Sequence, residues 1–127
     1  MLRAAVAGSL AAATLAAAAP PPHAARYVPV FTGGEYQLAQ KPKRVVYGAA
    51  NQLTGLRWTG WDGADARARG RLRSTGAGGD IDARVKVEVD RVRKCQGKRT
   101  YTRLTLKRVS GTSIGALGRP VRLYCPS

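Results

Sequence analysis

Four arginines at alternate positions between residues 67 and 73 are the side chains of this chain best suited to bind a charged ligand. A β-strand points successive side chains to opposite faces, so all four would project from one face, with roughly 6.6–6.8 Å between neighbours. Guanidinium groups at this spacing could follow the charges of a polyanion. The same pattern also fits a strand face that is simply exposed to water. We call this group the arginine comb: Arg67, Arg69, Arg71 and Arg73.

The comb belongs to the first of two runs of strict alternation, which together predict a β-hairpin. In residues 64–73 the even positions are small or apolar and the odd positions are charged. Residues 81–90 alternate in the same way, with apolar residues at the odd positions. The segment between them, residues 74–80, is rich in glycine and small polar residues, as loops are. The expected hairpin therefore has one dry face and one wet face.

One register of this hairpin matches small residues with branched residues on the dry face. Its dry-face pairs are Leu72–Ala83, Gly70–Val85, Ala68–Val87 and Ala66–Val89. Its wet-face pairs are Arg73–Asp82, Arg71–Arg84, Arg69–Lys86 and Arg67–Glu88. The two central wet-face pairs oppose like charges, which is unfavourable unless an anion or water intervenes. A slip of two residues would keep the parity and change the partners. The candidate anion-binding residues are Arg67, Arg69, Arg71, Arg84 and Lys86.

The second strand of the hairpin is expected to continue to Cys95 and to pair with a third strand. The apolar parity changes near Arg91, which indicates an irregularity there. Gln96 and Gly97 have the pattern of a two-residue turn in which glycine supplies a positive φ. Pairing outward from this turn aligns three apolar pairs and one ion pair, so the long strand should lie between two neighbours. The pairs are Val92–Tyr101, Val89–Leu104, Val87–Leu106 and Asp90–Arg103.

The two cysteines, Cys95 and Cys125, are expected to form a disulfide. The bond would join the end of the long strand to a C-terminal strand, residues 121–125. Closing a loop of about 31 residues contributes roughly 3.5–4 kcal/mol on chain-entropy grounds. Two cysteines without a nearby histidine cannot build a zinc site, so we expect no metal.

Residues of the types that catalysis needs are scarce in the expected domain. His23 is the only histidine, and it lies in the N-terminal tail. The carboxylate pairs Asp62/Asp65 and Asp80/Asp82 stand beside turns, where aspartate is common for conformational reasons. No serine lies in a nucleophile motif, and no glycine-rich loop precedes a helix. We therefore expect a protein that is not an enzyme and that has no cofactor.

Two tryptophans, Trp58 and Trp61, offer a second way to bind a ligand, because indole rings stack on bases and sugars. The alternative places Trp58 in the core, on the same face as Leu56, and Trp61 over a sheet edge. For ligand binding, the opposite parity of the two residues and the turn at Gly60 would let one ring point inward and the other outward. The second arrangement is the favoured one.

Composition divides the chain into three segments. Residues 1–19 have the pattern of a signal peptide, because a positive start precedes an alanine-rich apolar run that ends in small residues. Residues 20–42 hold most of the prolines and are expected to be a linker or a loose N-terminal segment, with a short edge strand around Tyr36. Residues 43–127 are expected to form a single domain. Its fold class is all-β, a small antiparallel sandwich or barrel of six to seven short strands with one disulfide.

Three motifs connect the chain to a known group of proteins. Residues 56–61 form an L-x-W-x-x-W strand, residues 64–70 an alternating small-residue strand, and residues 95–98 a C-x-G-K hairpin turn. With these motifs, residues 45–109 resemble small, uncharacterised secreted β-domain proteins that are common in actinobacteria. The resemblance implies a secreted β domain, and it carries over no activity, cofactor or catalytic residue.

The formal net charge of +15 has two explanations. A basic surface attracts polyanions, while a sequence rich in alanine, glycine, arginine and valine can be basic for compositional reasons and stay soluble through its charge. We expect a secreted, extracellular or cell-wall-associated protein that binds an anionic polymer or surface, such as a cell-wall polymer or nucleic acid. The alternative is a module that binds or inhibits another secreted protein through loops such as residues 110–120. No transmembrane segment is expected after removal of the signal.

Overall fold

The computed structural model describes residues 25–48, 50–76 and 79–126. The signal peptide expected at residues 1–19 lies outside the described residues, and so do His23 and the centre of the hairpin loop, residues 77–78. Within the described ranges, no helix is long and apolar enough to cross a membrane.

The protein is an all-β structure of two antiparallel sheets, the larger of which curls into a half-barrel. Its strands are β1 (Val28–Thr32), β2 (Glu35–Ala39), β3 (Val45–Tyr47), β4 (Asn51–Thr59), β5 (Ala66–Gly76), β6 (Gly79–Cys95), β7 (Lys98–Gly111) and β8 (Val121–Arg122). A short 3-10 helix, Gly115–Gly118, follows β7. The smaller sheet consists of β1 and β2, and the larger has the order β3-β4-β5-β6-β7-β8. Each strand of the larger sheet therefore pairs with its neighbours in the sequence.

The pairing of β5 with β6 confirms the register expected from the alternating runs, on both faces. The dry face is buried, and it packs small residues of β5 against branched residues of β6. Gly70 of β5 also lies very close to β4. A Cβ atom at Gly70 would lie 2.7 Å from the carbonyl oxygen of Thr54 and 2.7 Å from Cδ2 of Leu56. The absence of a side chain at this position is what lets β4 approach β5.

The long hairpin of β6 and β7 is also confirmed. Its turn has φ values of 52° at Gln96 and 77° at Gly97, the pair of positive angles that a two-residue hairpin turn of type I′ requires. Arg91 has a φ of 57°, so the irregularity expected near it is present. Asp90 lies opposite Arg103, and the guanidinium Nε donates a hydrogen bond of 2.8 Å to Oδ1 of that carboxylate.

The N-terminal hairpin of β1 and β2 falls within the segment for which we expected a linker or loose packing. Its entry is tied to the larger sheet, because the amide of Tyr27 donates to the carbonyl oxygen of Arg99 and the amide of Tyr101 donates to that of Tyr27, each at 2.9 Å. The first three residues of β1 are all buried. A strand with three consecutive buried residues has no alternation, which is why β1 could not be recognised from a period of two.

Cys95 and Cys125 form the expected disulfide, with their Cα atoms 5.8 Å apart. The bond holds the C-terminal segment against the end of β6. Gln96 Nε2 adds a hydrogen bond of 2.9 Å to the carbonyl oxygen of Pro126. Strand β8 is shorter than the expected residues 121–125, but Leu123 beyond it is buried in the core.

Candidate anion-binding site

Four basic side chains lie side by side on adjacent strands of the larger sheet. Arg57 on β4 lies opposite Arg69 on β5. Lys86 on β6 lies opposite both Arg69 and Lys107, the last of which is on β7. All four residues are exposed. Because neighbouring strands are about 4.8 Å apart, the Cα atoms of the four span about 14–15 Å. We call them the cationic row.

The arginine comb is not a uniform line of free charges along β5. Arg67 Nη2 lies 3.3 Å from Asp65 Oδ2 and 3.4 Å from Glu88 Oε2, so two carboxylates share this guanidinium. Arg71 Nε lies 2.6 Å from Asp82 Oδ1. Among the described residues, no side chain of the cationic row has an ion-pair partner. The cationic row, which crosses the strands, is therefore a stretch of positive charge that no carboxylate among these residues neutralises.

A groove of about 600 Å³ runs beside the cationic row. Its other side consists of the next residues along the four strands, which we call the mixed row: Thr59, Arg67, Glu88 and Thr105. Between the two rows the groove is lined by Ala68, Val87 and Leu106. The side chains of these three residues are buried on the opposite face of the sheet, so they line the groove with their backbone. The groove therefore crosses the strands.

The groove brings together three of the five candidate residues. Arg67, Arg69 and Lys86 line it. Arg71 and Arg84 do not line the groove, because they form the next opposed pair on this face, on the side away from the mixed row. Anion binding by these residues stays a prediction. The unfavourable opposition of like charges, on which the prediction rested, is present at both central pairs.

Two residues of the cationic row, Arg57 and Lys107, were not among the candidates. The expected pairing of Val87 with Leu106 already places Lys107 opposite Lys86, because each of these residues is the direct neighbour of one member of that pair. The position of Arg57 does not follow from any regular register. Gly55 has a φ of 64°, and the pairing of β4 with β5 shifts between Thr54 and Arg57. This bulge brings Arg57 opposite Arg69.

One wall of the groove is expected to respond to pH through Glu88. The pKa of this carboxyl is raised above its ordinary value because Glu88 shares a hydrogen bond with the Asp65 carboxyl and is partly desolvated, and the charge of Arg67 offsets this only in part. Protonation removes a negative charge from the groove. Binding of a polyanion should therefore strengthen a few-fold as pH falls from about 7 to about 4, a range that includes carboxyl titration. Dissociation constants for a sulfated polysaccharide, at constant ionic strength, would measure this.

The control for the pH dependence is Glu88→Gln, which should bind at neutral pH as the native protein binds in acid. The pKa values of Asp82 and Asp90 are lowered by hydrogen bonds from Arg71 and Arg103, so these carboxylates keep their charge further into acid. Equal pH profiles for the native protein and the variant would contradict the role of Glu88.

Both tryptophans are used within the fold. Trp58 Nε1 donates to the carbonyl oxygen of Pro42 at 2.7 Å, and Trp61 Nε1 donates to that of Arg26 at 3.2 Å. The two rings contact each other edge to face, with centroids 5.0 Å apart, and both are partly buried against the core. Trp61 also contacts Tyr101 in the same way. The two rings therefore pack together, rather than one pointing into the core and one away from it.

Other candidate features have structural partners as well. Asp62 Oδ1 accepts a hydrogen bond of 2.8 Å from the amide of Arg26. The alternative function would use the loop at residues 110–120. Part of this segment belongs to the fold, because β7 extends as far as Gly111 and Ile114 is buried in the core. The described residues contain no group of three or more histidine, cysteine or acidic side chains placed to hold a metal ion.

The groove and its two rows are thus defined by strand pairing and charge alone. No family model, no curated protein and no solved structure matches this chain.

Proposed function

We propose that the protein binds an anionic polymer or surface through the groove beside the cationic row, and that it acts as a secreted, non-catalytic module outside the cell or at the cell wall. The observation that carries this proposal is the cationic row. Its four side chains are brought together by strand pairing and have no carboxylate partner among the described residues. Opposed like charges on a sheet are unfavourable, and an anion in the groove would relieve them.

The location outside the cell is supported by two features. A disulfide persists in oxidising compartments and is rare in the reducing cytosol. The amino-terminal segment has the composition of a signal peptide. A secreted protein meets polymers with many negative charges at cell surfaces, and charge attraction of this kind needs no catalytic group.

Removing two central charges should weaken binding and reduce its dependence on salt. Arg69→Gln combined with Lys86→Gln removes two contacts with the polymer. Each contact releases counterions, so the slope of log K against log salt should become shallower by roughly 1.4 for two contacts on a single-chain polyanion. Dissociation constants for a sulfated polysaccharide at several salt concentrations would give this slope.

The matched control removes the same net charge elsewhere. Lys94 and Arg99 are exposed partners near the end of the β6–β7 hairpin. Lys94 is eight residues from Lys86 along β6, which corresponds to about 26 Å in a strand. Lys94→Gln combined with Arg99→Gln should leave the slope close to that of the native protein. Equal losses in the two double variants would mean that the protein attracts polyanions by diffuse charge and has no site in the groove.

A further inference from the structure

The two sides of the groove differ in chemistry. The cationic row presents only positive charge. The mixed row begins and ends with the hydroxyl groups of Thr59 and Thr105, with Arg67 and Glu88 between them. Thr59 Oγ1 lies 3.5 Å from the carbonyl oxygen of Arg67, at the outer limit of hydrogen bonding. Within the described part of the chain, the Thr105 hydroxyl makes no hydrogen bond, so both hydroxyl groups can bond to a ligand.

We propose that the polymer is a linear polyanion that also bears hydroxyl groups, of the acidic-polysaccharide class, and that it lies across the strands. Its anionic groups face the cationic row and its hydroxyl groups face the mixed row. This inference rests on the proposed function, because it concerns the same groove. It adds the direction of the polymer and the kind of group that each wall binds.

The direction follows from the distribution of free charge. A chain lying along β5 would pass Arg67 and Arg71, whose guanidinium groups already contact carboxylates. A chain lying across the strands passes four cations without such partners, over about 14–15 Å. Guanidinium and ammonium groups bind carboxylate, sulfate or phosphate oxygens. The groove has the same crossing direction, so shape and charge agree.

The second wall selects for hydroxyl groups. A threonine hydroxyl both donates and accepts, and the Glu88 carboxylate accepts, so this wall can bond to sugar hydroxyls in either sense. Proteins that bind single-stranded nucleic acid rely on aromatic rings that stack on bases. None of the described residues that line the groove is aromatic, and Trp58 and Trp61 are packed elsewhere. Acidic sugars fit these two walls better than bases do.

Two polymers and two double variants test the inference. Polygalacturonate carries a carboxylate and hydroxyl groups on every sugar, whereas inorganic polyphosphate carries charge without hydroxyl groups along its chain. Arg57→Gln with Lys107→Gln removes the ends of the cationic row and should weaken binding of both polymers. Thr59→Val with Thr105→Val removes the hydroxyl groups at nearly unchanged shape and β-propensity. It should weaken polygalacturonate binding about fivefold or more and leave polyphosphate binding within about twofold.

The outcomes separate the two proposals. If Arg57→Gln with Lys107→Gln binds both polymers as the native protein does, the groove is not an anion site and the proposed function fails. If this variant is weakened but Thr59→Val with Thr105→Val loses nothing on polygalacturonate, the groove binds anions without contacting hydroxyl groups, and the further inference alone is overturned. It would also be overturned if a single-stranded oligonucleotide of equal charge bound more tightly than polygalacturonate. Unfolding midpoints of both variants would establish that they are folded.

Discussion

Exchanging the two cysteines, Cys95→Ser and Cys125→Ser, is expected to lower the free energy of unfolding by about 3.5–4 kcal/mol. The bond joins residues 30 positions apart and encloses β7, the 3-10 helix and β8. Its main effect is on the unfolded chain, which loses conformations when a loop of this length is closed. Denaturation of the native and exchanged proteins in urea would measure the difference.

A local contact beside the disulfide provides the control. Gln96 bonds to the carbonyl oxygen of Pro126 and would be disturbed if the C-terminal segment came loose. Gln96→Asn shortens this side chain and keeps a residue that tolerates the positive φ of the turn. This substitution should lower the free energy of unfolding by less than about 1 kcal/mol, because the hydrogen bond from Gln96 is exposed. If the cysteine exchange lowered the free energy of unfolding by no more than Gln96→Asn does, the disulfide would contribute little to stability.

Tyr101→Ala is expected to lower the free energy of unfolding by about 3–5 kcal/mol, the range for removing a large buried aromatic side chain. Tyr101 is fully buried, and its ring centroid is 5.2 Å from that of Trp61. Its hydroxyl donates a hydrogen bond of 2.8 Å to the carbonyl oxygen of Gly63. Its amide bonds to Tyr27, so the side chain fills the core at the place where the N-terminal hairpin joins the larger sheet. Thermal or chemical denaturation would give the loss.

Tyr101→Phe separates packing from the hydroxyl group. It keeps the ring and removes only the bond to Gly63, for which about 0.5–1.5 kcal/mol is expected. If the phenylalanine and alanine variants were destabilised equally, the hydrogen bond would dominate and the packing argument would be wrong.

The centre of the fold was predictable because several independent signals agree there. Alternation assigned β5 and β6, and the Gln96–Gly97 turn assigned β7. The size match across the dry face indicated the register that the structure has, although a slip of two residues stayed open. These signals all act between neighbours in the sequence. The docking of β1 depends instead on backbone contacts of Tyr27 with residues far away in the chain, which no local pattern records.

The candidate site was predictable only in its middle, for a related reason. Arg69 and Lys86 follow from the hairpin register, whereas Arg57 depends on a bulge whose position the sequence pattern does not reveal. The ion pairs between side chains also differ from those that the backbone register suggests. Asp82 lies directly opposite Arg73 on the backbone, yet it binds Arg71, its diagonal neighbour. Long side chains reach such diagonal positions, so register alone does not decide which arginines remain free.

The order of the strands has a consequence for how the protein folds. In the larger sheet every strand pairs with the next one in the sequence, so each pairing closes a short segment of chain. Closing short segments costs less entropy, and β proteins with local contacts fold faster than those with distant ones. The sheet can therefore grow hairpin by hairpin outward from the tight turn after β6. The bridge from Tyr27 to Thr100 joins positions far apart in the chain, so we expect the N-terminal hairpin to dock last, onto a sheet that has already formed.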